Sequence, residues 1–196
     1  MSLRFAYNTN GAANHRLDDA IDLIAEAGYD GVALTLDIHH LDPFADGWVQ
    51  HTERVASRLQ RLGLGSVIET GARFLLDPRA KHEPTLVTAD ASARLRRVGF
   101  LMRAIDIAGI LGSEAVSFWA GVPKTGVDHG SAKGWLREGL ADVVAYAGEQ
   151  GVVPCLEPEP GMLIETLDDF AALDVPGLRL ALDTGHCLVT QEREPA

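Results

Sequence analysis

Val152-Val-Pro-Cys-Leu-Glu157-Pro-Glu-Pro160, a short helical segment, then Leu178-Arg-Leu-Ala-Leu-Asp183-Thr-Gly-His186: this stretch decides the fold. Two apolar runs each end in a carboxylate, Glu157 and Asp183. Between them stands Thr166-Leu-Asp-Asp169, the Thr-x-x-Asp spacing of a helix start. The stretch therefore reads as strand–helix–strand. Both acids fall at the carboxyl ends of parallel strands, where α/β folds gather their chemistry. His186 follows Asp183 by three residues and belongs on the loop above the same strand end. Two carboxylates and an imidazole converging there suit a hard-to-borderline divalent metal ion.

The same alternation runs through the rest of the chain. Strands are expected at Leu3 to Asn8, Gly31 to Asp37, Ser66 to Thr70 and Ala115 to Ala120. The first helix carries Leu17, Ala20, Ile21, Ile24 and Ala27 on one face and stops at Gly28. The second covers roughly Asp46 to Leu62, with Val55, Leu59 and Leu62 inward, and Gly63 and Gly65 break it. Asp90 opens a long third helix with Leu95, Val98, Met102, Ile105 and Ala108 inward. Its arginines Arg94, Arg96, Arg97 and Arg103 read as a solvated face. A fourth helix carries Leu136, Leu140, Val143, Val144 and Ala147, ending at Gly151. Gly71 to Ala89 is the longest irregular piece, and loops of that length inside a compact domain are usually functional or mobile.

Six strands alternating with helices imply a parallel sheet with right-handed crossovers. An open doubly wound sheet would need a phosphate fingerprint after the first strand, and Asn8-Thr-Asn-Gly-Ala-Ala13 is not one. A barrel places acids at many strand ends, and Asp37, Glu69, Glu157 and Asp183 all hold such positions. The expected fold is thus α/β, a TIM-barrel type (β/α) repeat of about six units, an incomplete barrel. The 196 residues form a single domain on this reading, lacking two units at the C-terminal end and leaving sheet edges through which copies could associate.

Composition bounds the partners. Apolar residues make up 46% and charged ones 23%, an ordinary globular balance. Lys and Arg number 17 against 28 Asp and Glu, for a net charge of −11. That balance argues against nucleic acid and against an anionic membrane surface. No run of about 18 apolar residues suggests a membrane span. Cys155 and Cys187 follow no zinc spacing and read as free thiols in a reducing cytoplasm. The start of the chain leads straight into a strand, without the pattern of a signal peptide.

With Leu156-Glu157-Pro158, Asp183-Thr-Gly-His186 and Gly28-Tyr-Asp-Gly31 in order, the chain resembles the sugar phosphate isomerase/epimerase family, the xylose isomerase-like TIM barrels. The resemblance implies an isomerase or epimerase that moves a proton alpha to a carbonyl through an enediolate. It implies that Glu157 and Asp183 bind a divalent ion, Mn²⁺ or Mg²⁺ foremost and Zn²⁺ as an alternative. His186 then contacts substrate or joins the ligands. Family members complete the site with a His from a seventh strand and a Glu from an eighth, which this sequence does not supply; poor turnover by these 196 residues alone is expected.

Glu157 is the candidate base while also serving the metal. The expected substrate is a small sugar or sugar phosphate. Glu69, Arg73, Trp119, Asn8 and His39 are further candidates for touching it, with Lys81 and Lys124 as loop cations for an anionic end. Each has a plainer alternative. Glu69 could pair with Arg73, Trp119 could be core, and the histidines of the His39-His40 loop could be surface. Competing functions are a metal phosphodiesterase of the endonuclease IV branch, a cyclitol dehydratase, and a non-catalytic barrel fragment.

Overall fold

The computed structural model describes residues 3–71 and 73–192. Six strands run parallel in one sheet: β1 (Ala6–Asn8), β2 (Gly31–Thr35), β3 (Gly65–Glu69), β4 (Ala115–Trp119), β5 (Val153–Glu157) and β6 (Arg179–Leu180). Their spatial order is their order in the chain. Every crossover therefore steps the same way. A doubly wound sheet reverses direction partway, so this is the winding of a barrel. A 3₁₀ turn at Thr9–Ala12 follows β1, and the helices are α1 (Leu17–Glu26), α2 (Trp48–Leu62), α3 (Ala91–Leu111), α4 (His129–Gln150), α5 (Leu167–Leu173) and α6 (Thr184–Val189).

The strands come from the apolar runs, and the core lies between them and the helices. Val32, Leu34, Ile68, Val116, Phe118 and Leu156 are all buried. Helix α1 lays Leu17, Ala20, Ile21 and Ile24 on that layer, while Ala27 falls beyond the helix and is exposed. Side-chain caps start the longer helices: Asp90 accepts from the Ala93 amide and Asp128 from that of Ser131. Thr166 and Asp169 close the reciprocal box that their spacing forecast. Gly65 does not end α2 but begins β3, because β2 crosses close by. A Cβ on Gly31 would lie 2.7 Å from the Gly65 carbonyl oxygen.

Helix α3 departs most from the sequence reading. Leu95, expected inward, is 66% exposed, and Leu62 on α2 is 40% exposed. Arg97, assigned to a solvated face, is fully buried. Packed against α2, α4, β3 and β4, α3 buries more than one face, so its apolar positions carry no clean period. Three of its four arginines lie over aromatic rings, and Arg96 is exposed as expected. The guanidinium carbons of Arg94, Arg97 and Arg103 sit 4.4, 4.6 and 4.2 Å from the ring centroids of Trp135, Trp119 and Trp48.

The 71–89 stretch has no helix or strand among its described residues, yet it is packed. Thr85, Leu86 and Val87 are buried. Gly121, at φ +100°, lets the loop after β4 press on it: a Cβ there would sit 2.4 Å from the Thr85 Cβ. Lys124 and Glu83 tie the same two loops at 2.6 Å.

Strand β6 is shorter than the apolar run Leu178 to Asp183. Among the described residues it pairs on one side only, and its last ladder contact is the Ala181 amide donating to the Leu156 carbonyl at 3.0 Å. Beyond that point the chain turns into α6.

Candidate metal centre

Glu157 is the last residue of β5, and Asp183 stands three residues beyond the last residue of β6, at the N-cap of α6. Parallel strands put both at one rim of the sheet. The Asp183 Oδ1 accepts from the amides of Gly185 at 2.6 Å and His186 at 3.1 Å. That cap fixes the carboxylate and leaves Oδ2 facing the His186 Nε2 at 3.7 Å. His186 Nδ1 donates to the Pro158 carbonyl at 3.1 Å and lies 3.6 Å from the Glu157 Oε1. Donation from Nδ1 orients the ring and leaves Nε2 to offer its lone pair, the usual way a ligating imidazole is held.

One donor atom from each of Glu157, Asp183 and His186 falls within 4.8 Å of the other two. Ligands sharing one cation at 2.0–2.2 Å stand no farther apart than roughly 4.4 Å, so small side-chain adjustments close this set on an ion. Two carboxylates with one imidazole fit Mn²⁺, Mg²⁺ or Zn²⁺ by hardness.

The set borders a hollow of about 320 Å³ lined by Glu69, Ser117, Glu157 and residues 181–184. Burial raises Glu157 above the ordinary carboxylate range; His186 opposes that, and Glu159 and Asp183 add to it. Glu69, the last residue of β3, is half-buried, and its carboxyl makes no hydrogen bond or ion pair among the described residues. Burial first, then the charge of Glu157, pushes it up to about 7. Other hollows lie elsewhere: at the opposite end of the strands around Arg4, Asp30 and Glu114, between α1 and α2 around His51 and Arg54, and between α3 and α4 around Arg94 and Trp135; none of them borders the three-donor set.

The remaining candidates divide. Arg73 lies 4.0 Å from Asp37, so its ion partner is Asp37 and not Glu69. Trp119 ends β4 in register with Glu157 but is buried, its face on Arg97 and its edge toward His82 at 5.4 Å. It forms the wall behind the hollow and not its lining. Asn8, exposed at the end of β1, accepts from the Asn10 amide at 2.8 Å and the Thr35 hydroxyl at 2.9 Å. It caps the 3₁₀ turn there. His39 is exposed on the loop after β2, whereas His40 is buried and approaches the His15 carbonyl at 3.2 Å. Lys81 is exposed. Cys155 is half-buried in β5 below Glu157.

Two residues were not singled out from the sequence. Ser117 is a small polar residue inside an apolar strand, and register places it beside Glu69. Arg97 donates from Nη2 to the Thr70 carbonyl at 3.1 Å, while its Nε and Nη1 have no hydrogen-bond partner among the described residues. Nothing in the sequence distinguishes it from its neighbouring arginines.

Comparison with known proteins gives the family and the fold. Residues 21–196 match the model of the xylose isomerase-like TIM barrel family, and the chain belongs to that family. It is 26% identical over 102 residues to a 2-oxo-tetronate isomerase of Cupriavidus necator, a match covering 47% of this chain. The match spans only 39% of that relative's length. Among solved structures, an L-ribulose 3-epimerase superposes with a TM-score of 0.79 at 21% identity, over 97% of this chain and 64% of the other. A D-tagatose 3-epimerase-like protein gives 0.77 at 17% identity, over 96% and 67%. At these identities the structures establish the fold, six strands of an α/β TIM barrel whose sheet does not close among the described residues. None of the described helices is long and apolar enough to cross a membrane.

Proposed function

We propose that the chain carries the metal-binding half-site of a sugar isomerase or epimerase, which moves a proton alpha to the carbonyl of a small polyhydroxy substrate. The observation that carries this reading is the convergence of Glu157, Asp183 and His186 on one point at a strand-end rim. Membership of the xylose isomerase-like family and likeness to a 2-oxo-tetronate isomerase and to 3-epimerases support it.

Glu157, Asp183 and His186 would hold a divalent cation, Mn²⁺ or Mg²⁺ before Zn²⁺. When bound, that cation polarises the carbonyl and the neighbouring hydroxyl and acidifies the C–H between them. Glu157 takes the proton; the C–H bond breaks, its electron pair forms the C=C bond and the carbonyl π pair moves onto oxygen, leaving an enediolate. Return of a proton to the same carbon from the other face gives the epimer; return to the adjacent carbon, with the hydroxyl proton passing to the former carbonyl oxygen, gives the isomer. Asp183, held by its two amide bonds, keeps the donor set in place. His186 is both oriented by Pro158 and close to Glu157. A net charge of −11 disfavours nucleic acid as the substrate.

The test is solvent deuterium incorporation at the α-carbon, followed by NMR in the full-length protein with Mn²⁺. D-fructose, D-tagatose, L-ribulose and a 2-oxo-tetronate serve as probes. Exchange with at least one is expected, and Glu157→Gln abolishes it. Unchanged exchange in that variant removes Glu157 as base and ligand.

A further inference from the structure

The Glu69 carboxyl has no hydrogen-bond or ion-pair partner among the described residues. It stands at the end of β3, half-buried, on the hollow that Glu157 and Asp183 also line. A carboxyl group partly removed from water and given no hydrogen bond by the fold is costly unless something else bonds it. A sugar hydroxyl meets that need in either protonation state, because a carboxylate accepts from it and a carboxylic acid can both donate and accept.

The charge around the hollow narrows the choice further. Its lining among the described residues contains three acids and no lysine or arginine. Four cations of the neighbouring strands and loops lie against other groups. Arg73 faces Asp37 at 4.0 Å, and Lys124 holds Glu83 at 2.6 Å. Arg97 is buried against Trp119 and the Thr70 carbonyl. Arg179 lies one layer down, level with Cys155. Arg73 and Lys124, candidates for gripping a phosphate, thus pair with loop carboxylates outside the hollow's lining. A phosphate over β3 would meet Glu69 with no lysine or arginine among the described lining residues to offset it.

We propose that Glu69 is a specificity-determining residue: it hydrogen-bonds a hydroxyl of an uncharged polyhydroxy ketone and turns away substrates that carry phosphate at the end lying over β3 and β4. The assignment rests on the isomerase reading above and names the substrate class for it.

The test pairs D-fructose with D-fructose 6-phosphate and L-ribulose with L-ribulose 5-phosphate, in full-length protein with Mn²⁺, reading α-carbon deuterium exchange. The wild-type protein is expected to favour the uncharged ketose of a pair. Glu69→Leu raises KM for that ketose roughly tenfold, the loss falling on KM and not on kcat. Glu69→Gln, which keeps hydrogen bonding but removes charge, narrows the preference over the phosphate roughly tenfold. Circular dichroism and Mn²⁺ affinity check that each variant is folded and loaded, and the Gln variant carries the test alone if the Leu variant fails to fold. Preference for the phosphate, or variants that leave KM and preference alike untouched, overturns the role of Glu69 while metal-dependent exchange keeps the isomerase reading intact. Absence of exchange with every probe overturns both.

Discussion

Glu69 and Arg97 show what single residues in this chain cost and what they do. Glu69 is raised to about 7 from 4.5, so between those values the folded chain keeps a proton that the unfolded chain has lost. Stability contributed by that proton is present below about pH 4.5 and is lost as pH rises through 7. Glu69→Gln should therefore be more stable than the parent at pH 8, and the gap should shrink toward pH 4. The full shift would correspond to about 3 kcal/mol, and solvent reaching a half-buried group reduces that to roughly 1–2 kcal/mol. Urea titrations of the chelator-treated protein at the two pH values measure it; a gap independent of pH contradicts the burial of this carboxyl. Glu157 and Asp183 could be read from the sequence because apolar runs end on them. The buried Arg97 could not, because its neighbours in sequence include three more arginines and only the tertiary fold brings Thr70 and Trp119 to it.

At the scale of elements, periodicity located the helices that bury one face and misplaced residues on the helix that buries several. Helix α1 shows its inward stripe in the sequence. Helix α3, wedged between α2 and α4 on the strands, does not, which is why Leu95 was assigned inward and Arg97 outward. The β6–α6 junction ties element to site. Asp183 serves as helix cap through Oδ1 and faces His186 through Oδ2. Asp183→Asn keeps an oxygen for the cap but loses the charge, while Asp183→Ala loses both. We expect Asn to hold stability within a few tenths of a kcal/mol and Ala to lose about 1 kcal/mol. Both should weaken Mn²⁺ binding. Equal stability losses in the two variants would separate the cap from this carboxylate.

Across the whole molecule, the order of strands decides where chemistry can sit. Alternating units wound in one direction bring every carboxyl end to one rim, so acids distant in sequence meet there. That much was legible from the alternation of strands and helices. The pairing of Arg73 with Asp37 and of Lys124 with Glu83 was not, because loop conformations follow no period. The edges β1 and β6 carry exposed Phe5, Tyr7, Leu180 and Leu182, apolar surface on the two sides of the arc that the sheet leaves unpaired. The account depends on β5 and the β6–α6 turn presenting three donors to one cation. Isothermal titration of Mn²⁺ into the metal-stripped protein, beside Glu157→Gln, measures this directly. One ion per chain, with affinity falling more than about tenfold in the variant, is the result predicted; binding of equal strength in both proteins would contradict it.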